Sequence, residues 1–142
     1  MSGYAHRLVN VNQIRIFLHI LAAAVWVGGQ FTLAGLVSTV RGLGEGAMKP
    51  VARAFARIAW PAYIVLFGTG MWNLAEIEFN DVSTNYKIWF GIKMAAWLVS
   101  GFGAALHALV PKTWARAAGG TAASLGAVVA LLAAAGMRYP TV

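Results

Sequence analysis

The chain has no cysteine and only four acidic residues among its 142. The first absence excludes disulfides, thiolate metal sites and iron–sulfur clusters. The second, set against eleven Lys and Arg, leaves a formal charge of +7. Charged residues amount to 11% of the chain, hydrophobic ones to 60%, and the mean hydropathy is +0.69. That balance excludes an ordinary water-soluble domain. The sequence also lacks a Gly-rich nucleotide loop after a strand, a metalloprotease helix pair and a serine elbow. Gly68-Thr69-Gly70 lies inside an apolar run and is no phosphate loop. The basic excess reads as loops facing anionic lipid headgroups, not as a nucleic-acid surface.

What is present is apolar sequence in four runs, at about 16–37, 58–74, 88–110 and 120–137. About 20 apolar residues at 1.5 Å each cross a ~30 Å hydrocarbon core. The expectation is therefore an all-α integral membrane protein, a single bundle of four transmembrane helices. The first run is too long for a signal-peptide core and reads as a retained span. The second and fourth runs stand near the lower length limit. Pro61 falls in the first turn of the second run, where a missing N–H costs little, and Pro111 closes the third. Gly28, Gly29, Thr32, Gly35, Gly101, Gly103 and Ala105 would let helices approach closely. In the connector 42–57, Lys49, Arg53 and Arg57 recur every four residues. This segment is either a basic amphipathic helix lying along the headgroups or an extension of the second span.

Loop charge sets an expected orientation. Arg41, Lys49, Arg53, Arg57, Lys112 and Arg116 share one side with Glu45; Arg7, Arg15, Lys87 and Arg138 share the other with Glu76, Glu78 and Asp81. The positive-inside rule puts the first set in the cytoplasm and both termini outside, in the inner (plasma) membrane.

Depth then decides which intramembrane groups can meet. His19, Lys93, Met94, Met71, Asn73, Met137 and Arg138 all fall in the outer half, one contribution or more from each span. His107 belongs near the inner end of the third span, roughly 20 Å from His19 along the normal, so the two cannot share one metal or one haem iron. A second axial histidine within the chain would have to be His6, folded back. Ionisable groups inside a span are costly and mark sites, which makes His19 the leading candidate.

Three ligands suit this layer. Copper would take His19 with Met71, Met94 or Met137, imidazole and thioether being suited to Cu(I). Haem b would take His19 as axial ligand, Arg15, Lys93 or Arg138 near its propionates, and Trp26, Trp72, Trp89 and Trp97 around its ring. A quinone would use His19 and Lys93 as hydrogen-bonding or proton-transfer groups. Plainer readings stand beside each: methionine as packing, Trp72 and Trp89 as interfacial anchors, a snorkelling Lys93 and a hydrogen-bonded His107.

His19, six residues, then Trp26-Val27-Gly28-Gly29 resembles the membrane domain of the CopD family of copper-resistance proteins, as do Arg53 and Phe55, Gly68-Thr69-Gly70 and residues 86–93. The related HemJ-type proteins are similar in size, carry an early-span histidine and a third-span lysine, and are associated with haem b. The resemblance implies copper handling or a haem-binding redox relative, and carries over to His19, Trp26 and Lys93. The chain departs from the HemJ-type pattern in Val-Gly-Gly after Trp26 and in the longer interval from Lys93 to His107. The expected function is thus a CopD-like membrane protein holding copper or a haem-type cofactor through His19. The alternatives are an accessory subunit of a larger membrane complex and a membrane redox enzyme acting on porphyrin or quinone. The small-residue helices suit a homo-oligomer or a larger complex equally.

Overall fold

The computed structural model describes residues 10–138 and is built from helices alone. His6, Arg7, Thr141 and Val142 lie outside the described residues. Helix α1 (Val11–Ala23) passes through one π-helical turn (Ala24–Gly28) into α2 (Gly29–Gly42). Helices α3 (Met48–Ala75), α4 (Thr84–Leu109) and α5 (Thr113–Gly136) follow. All four continuous rods, α1–α2 counted as one, are long and apolar enough to cross a membrane.

Every rod outruns its apolar stretch. The first has 32 residues and the second 28, about 48 and 42 Å against a ~30 Å core. The second and fourth helices, of 28 and 24 residues, are thus long enough to cross although their apolar runs are short. The connector 42–57 resolves in the same way: from Met48 onward it is the beginning of α3, with no separate surface helix. Pro61 is consequently an interior residue of α3, not a first-turn one. A lipid-buried helix tolerates this where neighbouring groups compensate. Val110 leaves α4 in an extended conformation, as expected of a residue preceding proline.

Asn10 opens α1 with a capping box: its Oδ1 accepts from the Gln13 N–H at 2.8 Å, and Gln13 Oε1 accepts from the Asn10 N–H at 2.9 Å. Ser83 caps α4 by accepting from the Tyr86 N–H.

The bundle is two pairs. Helices α4 and α5 lie against each other along a seam of small residues, with Ser100, Gly103, Ala115, Gly119, Ala123 and Gly126 all buried. A Cβ at Gly126 would stand 2.7 Å from Ala96 O and from Ser100 N, backbone atoms that cannot turn aside. Not every glycine serves this purpose. A Cβ added at Gly28 or Gly35 would meet nothing within 4 Å, so the expected close approach fails there. At Gly101 the neighbour is a side chain, Tyr63, whose hydroxyl donates to Trp97 O at 3.0 Å. Gly126→Val should lower stability by about 1–3 kcal/mol through overpacking. Gly35→Ala, with open space and better helix propensity, should be neutral or stabilising by up to about 1 kcal/mol. Thermal unfolding in detergent, followed by circular dichroism, compares the two.

The second pair is α1 with α3. It meets the first pair mainly through aromatic side chains around the π turn. Trp26, buried to 3% exposure, lies 4.5 Å from Tyr63 and 5.8 Å from Trp60 between ring centroids. Its Nε1–H donates to Ser100 Oγ at 2.9 Å, and Ser100 Oγ donates onward to Ala123 O at 2.7 Å. One chain of hydrogen bonds thus crosses from the π turn through α4 to α5. Tyr63 and Phe67 of α3 stack on Trp97 of α4 at 4.5 and 5.3 Å.

Candidate functional site

Where the two pairs diverge, beyond the Trp26–Ser100 bridge, they line an open-sided cavity of about 670 Å³. All four rods wall it. Its aromatic lining is Trp26, Phe31, Phe67, Phe90 and Trp97. Polar groups on the wall are few: His19, Asn73, Tyr86, Lys93 and Ser100. The volume lies within the ~300–1,000 Å³ of small-molecule pockets, which share this mostly apolar character with a few placed polar groups.

Of the sequence candidates, His19, Trp26, Lys93, Met71, Met94 and Met137 all line this cavity. They come together because they occupy comparable depths. His19 is eight residues into its rod and Lys93 nine residues into α4, about 12 and 14 Å along their axes. Arg138 is exposed at the end of the described chain and is not among the lining residues. Trp72 lies outside the wall, its Nε1–H donating to Glu76 Oε1 at 3.2 Å. Trp89 also lies outside and packs on Gly136. The ring of four tryptophans therefore reduces to Trp26 and Trp97, completed by phenylalanines.

The setting of His19 was not legible from its own helix. Its Nδ1 lies 2.8 Å from Thr69 Oγ1 on α3. Thr69 is buried, and its Oγ1–H is directed to Val65 O at 2.7 Å, with Leu66 O a longer second acceptor at 3.3 Å. A hydroxyl has one proton. With that proton given to the backbone, Thr69 Oγ1 can only accept from the ring, so a neutral His19 carries its proton on Nδ1. Nε2 is left with a free lone pair. Fixing one ring nitrogen through a hydrogen bond so that the other can bind is how ligating histidines are oriented. The ring edge has room on the α3 side, since a Cβ at Gly70 would stand 3.5 Å from His19 Cε1.

One turn before His19, Arg15 is buried to 8% exposure at the same end of the bundle. Its Nη1 is 3.2 Å from Glu76 Oε1, and its guanidinium stands 5.9 Å from the centre of the Trp72 ring. The Glu76 contact is an ion pair by distance but is poorly aligned, and Arg15 Nε and Nη1 have no hydrogen-bond partner.

His107 is remote from all of this. Its Nδ1 is 2.6 Å from Arg116 O in the first turn of α5, at the opposite end of the bundle. Among the described residues no three of His, Cys, Asp and Glu come together as a metal site. The methionine thioethers line the cavity, but a bare ion needs its donors at about 2.0–2.3 Å, which a space this large does not impose. Reasoning from sequence missed Thr69, Ser100, Tyr63 and the Arg15–Glu76 pair. The available signal was the rarity of hydroxyl and charged side chains within apolar runs.

Comparison with known protein families, with curated proteins and with solved structures finds no match.

Proposed function

We propose that the protein is a membrane-embedded binder of a flat, lipid-soluble organic cofactor of the haem type, attached through His19 Nε2. The observation that carries this reading is the 670 Å³ apolar cavity with an imidazole on its wall whose Nδ1 lies 2.8 Å from Thr69 Oγ1. The size and apolar lining favour a macrocycle over a bare copper ion. Trp26, Phe31, Phe67, Phe90 and Trp97 supply flat walls, and Lys93 supplies an amine for acidic substituents. Arg15, one turn from His19, is ion-paired with Glu76 and is not among the lining residues. A haem-type group supplies one-electron redox chemistry when bound. The protein's own part is to present one nitrogen, exclude water and balance charge.

On the charge rule the end carrying Arg41, Lys49, Arg53, Arg57, Lys112 and Arg116 faces the cytoplasm of the plasma membrane. The cavity then belongs to the outer half. This reading agrees with the haem-associated side of the CopD and HemJ resemblance.

Purification in a mild detergent tests it. The visible spectrum should show a Soret band at about one cofactor per chain, with no stoichiometric copper by elemental analysis. Stoichiometric copper without visible haem absorbance would replace the proposal with the copper reading. A quinone in the organic extract would replace the macrocycle. A colourless, metal-free protein that co-purifies with fixed partners would make it an accessory subunit.

A further inference from the structure

At the other end of the bundle is a surface groove of about 380 Å³, lined by Gly46, Lys49, Pro50, Arg53, Ala54 and Arg57. Nothing in the cavity chemistry uses it. We propose that this groove is a binding site for the headgroup of an anionic phospholipid.

Residues four apart lie on one side of a helix, so Lys49, Arg53 and Arg57 form a single stripe up the first three turns of α3. All three are exposed, while Val51, Phe55 and Ala59 of the same helix turn inward. Like charges at this spacing repel and weaken a helix in the absence of a counter-charge. None comes from the protein: among the described residues the ion pair is Arg15–Glu76, at the opposite end. Glu45, the one acid in the adjoining loop, pairs with none of the three. Exposed and without an acid beside them, the three cations are open to an anion from outside the protein.

Position selects the source. The stripe ends where the apolar run of α3 starts, at Ile58, which is 62% exposed. Leu43, at the end of the preceding helix, is 78% exposed. A phosphate seated among the three cations would therefore stand at the headgroup level, with its acyl chains running down beside Ile58. Arginine suits this role because its planar fork grips phosphate oxygens in pairs. A soluble anion would gain nothing from the apolar flank.

Native mass spectrometry of the full chain, titrated with phosphatidylglycerol or phosphatidylcholine, tests the site. Wild type should retain one phosphatidylglycerol in preference to phosphatidylcholine. The triple variant Lys49→Gln/Arg53→Gln/Arg57→Gln should lose roughly a hundredfold in that affinity, at roughly fivefold per cation. The charge-matched variant Arg41→Gln/Lys112→Gln/Arg116→Gln, at the same end, should stay within about threefold of wild type, because its cations lie outside the groove. Single Arg53→Gln and Arg57→Gln variants give the same reading if the triple variant is poorly folded. Equal losses in both triples would reduce the effect to diffuse charge and overturn the site. So would indifference to the headgroup, or displacement of the lipid by equimolar inorganic phosphate.

Discussion

His19→Ala should abolish the Soret band of the purified protein, weakening cofactor binding by at least about a hundredfold, while His107→Ala leaves it unchanged. The asymmetry follows from where the two imidazoles stand. His19 is on the cavity wall with Nε2 free; His107 is spent on the Arg116 carbonyl at the far end of the bundle. No other described histidine could substitute.

The more discriminating variants are at Thr69, which does not itself line the cavity. Thr69→Val keeps the shape but removes the acceptor that fixes the His19 proton. The ring can then rotate, or place its proton on Nε2, so affinity should fall about 10–100-fold, the usual cost of losing such an orienting partner. Thr69→Ser restores a hydroxyl that can donate to Val65 O and accept from Nδ1, and should recover binding to within about threefold. Cofactor titration into the apoprotein measures all four variants. A purely structural role for Thr69 predicts a different outcome: loss of thermal stability in Thr69→Val with the affinity of the folded fraction unchanged. An unaltered band in His19→Ala would remove the attachment point altogether.

The span number was legible because hydropathy over 20 residues reports the one property a lipid-exposed helix cannot lack. Its bounds were not. Lys49, Arg53 and Arg57 belong to α3 but precede its apolar run, where a helix continues in polar sequence and hydropathy has nothing to detect. Pro61 misled for the same reason, since a helix start placed at Ile58 puts a proline in the first turn. The gathering of His19, Lys93, Met71, Met94 and Met137 around one space was accessible, because depth follows from 1.5 Å per residue once the spans are counted.

The lateral arrangement was not accessible. Which glycines are seam and which are open depends on rotation about each helix axis, and the low polarity of these runs leaves that rotation unmarked. Thus Gly126 and Gly35 look alike in sequence, and only one touches a neighbouring backbone. The π turn at Ala24–Gly28 shifts the rotation again midway along the first rod. That is how Trp26 reaches Ser100 while His19, seven residues earlier, reaches Thr69.

Trp26→Ala should be the most destabilising single substitution in the apolar core, because it removes the contact that joins the two helix pairs. Large-to-small changes at a buried tryptophan cost about 3–5 kcal/mol in water-soluble proteins, part of it the transfer of apolar surface to water. In a bilayer that part is small, since lipid is as apolar as the core, and lost packing and hydrogen bonding remain. The lower end, about 3 kcal/mol, is therefore expected. Trp26→Phe separates the contributions: it retains a ring against Tyr63 and Trp60 but gives up the N–H to Ser100, at about 1 kcal/mol. Ser100→Ala leaves the indole N–H buried without an acceptor and frees Ala123 O, which should cost about 1–3 kcal/mol. Combining Trp26→Phe with Ser100→Ala should cost less than the sum of the two by about 1 kcal/mol, since both remove the same bond. Far-UV circular dichroism should show helix content unchanged in all of them at low temperature, because each rod satisfies its own backbone, while the unfolding midpoint falls in the order Phe, then Ala. Full additivity in the cycle would mean that the bridge between the pairs lies elsewhere, in the Tyr63–Trp97 stack.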